Sequence, residues 1–351
     1  LMLAQEYHAH GRRCTLVIAA GVLLTLAAAY LFTTLGMKEA GAFQTVEAVL
    51  RYFDGTLDAG ADAAMNKIIL LLRLPRVLLA LVAGAGLALA GALMQSVTRN
   101  DLVSPFTLGI SAAAALGASL CIVLAAGTAL DSDLGIITSA FLLSSACGII
   151  VYGIARRSGL RPTTIVLVGI ALNYFFSALT ATLEFFAQEH KLAAVIQWTF
   201  GSLHRASWEY VAMGSPIVLL GGVVALFYAL PLNVMAVSDD ETARSLGVNP
   251  VRLRTIAGLV AVFMTATIIS FTGVIGFVGL IAPHMARFLI GTDHRFYLPF
   301  TAVLGAALLL VSDTVGRLIL YPVTIPVGIV ISFLGVPLFI HLILRGGRPS
   351  T

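Results

Sequence analysis

The groups of this chain that could ligate a metal, attack an electrophile or move a proton are few: seven histidines, three cysteines and 17 carboxylates among 351 residues. None has the spacing such chemistry needs. A zinc hydrolase places two histidines one helical turn apart around a glutamate, and no His-Glu-x-x-His run occurs. His8 and His10 lie near the start, and His284 follows Pro283 at the end of an apolar stretch. Cys14, Cys121 and Cys147 are scattered through apolar stretches, where free cysteine behaves as a small hydrophobe. No Ser/His/Asp constellation is visible. No catalytic residue, metal site or bound cofactor is expected on this chain.

Energy conversion leaves no mark either. A phosphate loop of the form Gly-x-x-x-x-Gly-Lys-Ser/Thr is absent, and Lys38, Lys67 and Lys191, the only lysines, sit in no glycine-rich turn. An ion-coupled pump needs ionisable groups at mid-membrane. Two candidates exist. Glu184 lies near the end of an apolar run, where lining a path and snorkelling to the interface are both open. Asp313 stands four residues before Arg317, so the pair can meet on one helix face.

One polar loop is unusually well formed. It runs Ser238-Asp239-Asp240-Glu241-Thr242-Ala243-Arg244-Ser245-Leu246-Gly247-Val248-Asn249-Pro250. Ser238 with Glu241 three residues later has capping-box spacing. Asp239 and Asp240 place negative charge at a helix start. Gly247 suits a left-handed stop, and Pro250 the first turn of another helix. The spacing predicts two short helices meeting at a bend. Such a rigid knob serves either as a plain connector or as a docking element for a soluble, force-supplying partner.

The elements that must carry these residues follow from composition. Hydrophobic residues make up 59% of the chain and charged residues 11%, whereas soluble domains carry roughly 25% charged residues. Lipid must be the solvent. The pI of about 9.1 therefore reads as topology rather than nucleic-acid binding. A bilayer-crossing helix needs about 20 mostly apolar residues. Ten spans are expected, at 15–35, 76–98, 106–126, 134–155, 163–187, 209–231, 254–272, 276–290, 299–317 and 326–344. The first is read as a retained helix, since its apolar run is longer than a signal peptide's and no small-x-small cleavage site follows. Residues 42–57 read as an amphipathic surface segment, because Asp54, Gly55 and Asp58 interrupt it too early for a span. Thirteen lysines and arginines, Arg348 included, fall on the side of the N-terminus and eight on the other, which places both termini in the cytoplasm. Small residues recur every four positions at Gly109, Ala113, Gly117 and Cys121, and at Gly84, Ala88 and Ala92, a pattern for close helix packing.

The segment Glu241-Thr-Ala-Arg-Ser-Leu-Gly247 resembles the coupling-helix region of permeases in the iron-chelate and vitamin B12 (FecCD-type) family of ABC importers. Four more stretches resemble that family in the same order: Arg73-Leu-Pro-Arg76 with Gly91-Ala-Leu-Met-Gln95; Asn100-Asp-Leu-Val-Ser-Pro105 with Leu108-Gly-Ile-Ser111; Gly273 through Gly276 to Ala282-Pro-His-Met-Ala-Arg287; and Asp313-Thr-Val-Gly-Arg317 with Ile325-Pro-Val-Gly-Ile329 and Gly335-Val-Pro-Leu-Phe339. Together they cover about 73 to 345.

The resemblance implies an all-α, ten-helix permease of the type II ABC importer kind, one transmembrane domain over 1–351 in the bacterial inner membrane. It implies work as a dimer with a second, identical or homologous permease, above two cytoplasmic ABC ATPases that hold ATP and Mg. A periplasmic or lipid-anchored substrate-binding protein would dock outside. Asp239, Asp240, Glu241, Thr242, Ala243, Arg244, Ser245, Leu246 and Gly247 would then couple to the ATPase. Arg73, Arg76 and Arg317 match outer-face arginines that receive acidic residues of the binding protein, with interfacial anchoring as the other reading. Asn100 and Leu102 match the cytoplasmic gate, with Thr163 and Thr164 as its second part; Asp101 stands where the family commonly has proline. Alternating access would carry an iron chelate, haem or vitamin B12. A secondary transporter and a non-transporting scaffold are the rival classes.

Overall fold

The computed structural model describes residues 2–35, 43–57, 62–125, 128 and 132–346. Lys38, Asp58, Ala126 and Arg348, used in the sequence reading, lie outside them. Every described element is a helix. In chain order these are α1 Met2–Thr34, α2 Gln44–Phe53, α3 Ala63–Ile68, a π-helical turn Ile69–Arg73, α4 Leu74–Thr98, α5 Ile110–Leu124, α6 Asp133–Arg156, α7 Pro162–Phe186, α8 Glu189–Thr199, α9 Trp208–Phe227, α10 Ala229–Val237, α11 Asp240–Ser245, α12 Pro250–Thr272, α13 Val278–Ile290, α14 His294–Leu318 and α15 Val327–Gly346.

Among the described residues seven helices are long and apolar enough to cross a bilayer; α5, α13 and α15 are shorter apolar helices at the remaining expected positions. The edges shift for local reasons. The second span begins at Ala63 rather than 76, because α3 runs through the π turn into α4 without a break. The third begins late: Gly109 caps α5 at φ 77°, so it turns the chain instead of joining the small-residue stripe. The eighth starts at Val278, after Gly273 (φ 70°) and Phe277 (φ 63°) turn the backbone left-handed. The amphipathic segment is α2, with Thr45 and Ala48 buried and Phe43, Leu50 and Phe53 exposed. Helix α8 was not expected from the sequence.

The centre of the bundle is α4, which packs on α9, α12, α13 and α14. Small residues set those contacts. A Cβ at Gly84 would stand 2.3 Å from the Gly305 carbonyl oxygen on α14, and one at Gly91 only 1.8 Å from the Gly279 carbonyl oxygen on α13. Gly117 approaches Ser139 of α6 in the same way, at 2.4 Å. With no hydrophobic force between helices in lipid, such backbone proximity is what holds them together. The outward faces of α7 and α9 stay apolar and exposed, with Leu167, Tyr174, Phe185, Leu219 and Phe227 uncovered.

The bundle has two chemically distinct ends. Cys14 of α1 reaches the Ile290 carbonyl at 3.7 Å, beside the start of α14 and the loop bearing α11. At the opposite end Phe32 and Leu35 meet Arg317 and Arg73. Cys14, Cys121 and Cys147 are buried and form no disulfide among the described residues.

Candidate functional site

The knob at the first end forms, with altered details. Its N-cap is Asp239, whose Oδ1 accepts the Thr242 amide at 2.7 Å. Ser238 instead turns back and donates to the Val234 carbonyl at 2.6 Å. The expected Ser238 capping box is therefore one residue out of place. Aspartate wins the cap because its ionised oxygen is the stronger acceptor at a positive helix end. Gly247 ends α11 at φ 84°, with the Gly247 and Val248 amides donating to the Arg244 and Ala243 carbonyls, a Schellman stop. Only one short helix exists: the second helix expected at Pro250 is α12 itself, capped by Asn249, which accepts the Arg252 amide at 3.0 Å. Ala243 is buried on the inner face of α11, while Leu246, just past its end, is 64% exposed.

Hydrogen bonds from Thr242 hold the Asp239 carboxyl below the usual range. Those from Arg254 do the same for Asp240. Depressed carboxylates stabilise the fold above their ordinary pKa, and that contribution vanishes as pH falls through the lowered values. The protection factors of amides 240–246, taken against the intrinsic exchange rate at each pH, should therefore be high at neutral pH and fall as the pH drops below about 4.

Beside the knob lies the loop between α4 and α5. Asn100 Oδ1 accepts the Leu102 amide at 3.0 Å, and Leu102 is 58% exposed. Thr163 is exposed and Thr164 half-buried on the first turn of α7. No hydrogen bond joins the two pairs among the described residues. Asp101 makes an ion pair with Arg287 of α13, which also bonds Gln95 and stacks its guanidinium over Tyr297 at 5.5 Å.

From this loop opens a cavity of about 750 Å³, lined by Ser104, Phe106, Thr199, Phe200, Phe277, Leu280, Gly328 and Phe333 among others. Among the described residues its wall is mostly apolar, with the hydroxyls of Ser104, Thr199 and Ser332, and carries no ionised group. Glu184 is half-buried near the end of α7 and is not part of that wall. Among the described residues no group of His, Cys, Asp and Glu could hold a metal ion.

At the far end the three arginines gather around one acid. Arg76 grips Asp313 with Nε at 3.1 and 3.0 Å and Nη2 at 2.9 Å. Arg317 Nε stands 3.3 Å from the same carboxylate, the expected i,i+4 contact. Its Nη2 donates to the Phe32 carbonyl at 3.3 Å, while Nη1 is buried without a partner among the described residues. Arg73 leans on the Leu35 carbonyl at 3.4 Å. These residues line a cavity of about 340 Å³ with His204 and Tyr321. Burial and the nearby Arg76 lower the pKa of His204, against a smaller opposing pull from Asp313. Three guanidiniums face one carboxylate, so the cavity carries surplus positive charge.

Reading the sequence missed Arg254, which is 1% exposed. Its signal was an arginine at the first residue of an expected span, where a charge drawn into the bundle persists only with a partner. The partner is Asp240, gripped at 2.6 and 2.8 Å. The cavity lining was missed as well, since apolar residues of α8, α13 and α15 carry no local mark.

The chain is similar to known proteins over most of its length. The model of the FecCD transport family matches residues 22–345. The hemin transport system permease protein HmuU of Yersinia pestis is 38% identical over 82% of this chain and 86% of its own length. The cobalamin import system permease protein BtuC of Halobacterium salinarum is 36% identical over 82% of this chain and 76% of its own. Among solved structures, an inward-facing metal-chelate type ABC transporter superposes with a TM-score of 0.82 at 30% identity, covering 94% of this chain and 99% of that one.

Proposed function

The chain belongs to the FecCD transport family, and on that premise we propose that it is the permease through which an ABC importer moves an iron chelate, haem or vitamin B12 by alternating access. The observation that carries this reading is the division of the bundle into two ends. One presents a capped, tethered knob with an exposed apolar tip; the other presents a cavity rich in arginine. Between them runs an apolar hollow of about 750 Å³, within the roughly 300–1,000 Å³ typical of ligand pockets. A neutral wall suits a bulky chelate, whose bound metal is cargo.

The permease pairs with a second copy or a homologue. ATP and Mg belong to two cytoplasmic ABC ATPases, and α11 seats in them, with Asp239–Gly247 as the contact. The knob's end, shared with the start of α1, faces the cytoplasm of a bacterial inner membrane, and the chain's two termini lie on that side. Asn100 and Leu102 form one half of the inner gate and Thr163 and Thr164 the other. A periplasmic or lipid-anchored binding protein brings its acidic groups to the cavity that Arg73, Arg76 and Arg317 line, meeting Arg73 first, since Arg76 and Arg317 are largely buried against Asp313. Glu184, half-buried near the end of α7 and outside the cavity wall, lines the outer mouth of the path or anchors α7 at the interface.

Uptake by proteoliposomes containing the permease and its ATPase tests the reading with labelled ferric siderophore, haem and cobalamin. ATP-dependent accumulation of one of them supports it; uptake driven by an ion gradient without ATP rejects it. The tip makes a sharper test. An exposed Leu246 filling a partner's groove is an anchor of the kind whose loss costs 2 kcal/mol or more, so Leu246→Asp should reduce co-purified ATPase about tenfold or more. At the other end Arg73 is the arginine to reverse, because Arg76→Glu would set two carboxylates against each other at Asp313. Arg73→Glu should weaken binding-protein association several-fold at low salt and less at high salt, measured by surface binding to the reconstituted permease.

A further inference from the structure

The knob is not simply hung between α10 and α12. Asp240 on its first turn receives two hydrogen bonds from Arg254, and Arg254 also donates through Nε to the Val97 carbonyl on α4 at 3.2 Å. The same carboxylate takes a third bond, at 3.1 Å, from Arg99. Arg99 is the residue that ends α4, in left-handed conformation at φ 49°, and its Nε donates to the Met235 carbonyl on α10 at 2.8 Å. One carboxylate thereby ties together α4, α10, α11 and α12. Next along the chain come Asn100, then Asp101, whose carboxylate holds Arg287 on α13. The start of α13, at Leu280, lines the apolar cavity together with Phe277 just before it.

We propose that Arg254 and Arg99 are positioning residues that make the knob and the gate loop move as one part, with Asp101 and Arg287 passing the movement to α13 and the cavity wall. This deepens the transport reading above and rests on it. The physical basis is rigidity. Arg254 lies at 1% exposure, where water cannot replace its hydrogen bonds, and its planar guanidinium fixes Asp240 in two directions at once. A lysine there keeps the charge yet loses the fork. Arg99 and Asp101 flank Asn100 with opposite charges directed to different helices, so a displacement of α11 cannot leave the loop behind while both tethers hold.

The test uses the assembled transporter in proteoliposomes, with Leu102→Cys as a reporter; Cys14, Cys121 and Cys147 are buried, so a maleimide added to the medium reads position 102. In the otherwise unchanged permease, ATP and Mg should alter the labelling rate at 102. Arg254→Lys and, separately, Arg99→Gln should abolish that change and lower the substrate moved per ATP hydrolysed by about tenfold, a coupling loss within the usual allosteric range. Total hydrolysis by the partner should fall far less. A merely structural role for these arginines would lower the amount of assembled protein while leaving transport per ATP intact, and that result overturns the proposal. Arg99→Gln alters a partly exposed pair and keeps the test open if Arg254→Lys fails to assemble. If position 102 ignores ATP in the unchanged permease, the transport reading itself fails; if it responds there and equally in both variants, only the linkage fails.

Discussion

Replacing Asp313 with asparagine should sharply reduce the folded permease recovered from membranes and lower its unfolding midpoint in detergent. Asp313, Arg76 and Arg317 have side-chain exposures of 3%, 13% and 8%, so the carboxylate is the counter-charge for two guanidiniums that water hardly reaches. Removing one partner of a buried charge cluster costs about 3–5 kcal/mol, because the charges left behind are stranded. Asparagine keeps the shape and loses the charge, which isolates that effect. Adding Arg317→Met should recover part of the loss, since the buried Nη1 of Arg317 has no partner among the described residues even in the native arrangement. A double-mutant cycle over the two sites would give a coupling of about 1–3 kcal/mol. Equal stability of Asp313→Asn and the native chain would refute the account of this cluster.

Gly91→Val should be comparably damaging, by sterics alone. The first carbon of any side chain at 91 would fall 1.8 Å from the Gly279 carbonyl oxygen and 2.5 Å from its carbon. That obstacle is backbone, so no rotamer change relieves it; α4 and α13 must move apart. Overpacking in a tight core costs about 1–3 kcal/mol and more where the backbone must shift, and here the contact itself holds the helices together. Gly91→Ala should already be harmful. Gly153→Ala is the control: a Cβ there meets nothing within 4 Å, and the change should be neutral or stabilising by about 0.5–1 kcal/mol. Thermal melts of the four proteins, Gly91→Val, Gly91→Ala, Gly153→Ala and the native chain, measured by tryptophan fluorescence in detergent, would rank them. Similar melts for Gly91→Val and Gly153→Ala would mean that α4 and α13 do not approach this closely.

The solvent of each segment was legible in the sequence. Composition could only mean lipid, and apolar run length located the helices to within a few residues at most edges. Local hydrogen-bonding chemistry also carried the short helix: the acidic start and Gly247 were read correctly, and the cap moved by one residue from Ser238 to Asp239. The ordered motifs were enough to place the chain in its family. Partnership across the bundle was the part that the tertiary structure decided. Asp313 pointed to Arg317 four residues on, yet its firmest grip comes from Arg76, 237 residues earlier. Arg254 looked like the edge of a span and proved to be the buried partner of the knob. The arginine at 99 and the acid at 101 gained meaning only when α10, α11 and α13 arrived beside them. The physical reason is one of range. Hydrophobicity, capping and helical spacing act over a few residues and report on the solvent and the next turn. An ion pair in a membrane protein is chosen by which backbones can come close, and that was settled by glycines such as Gly84 and Gly91 meeting Gly305 and Gly279 far along the chain.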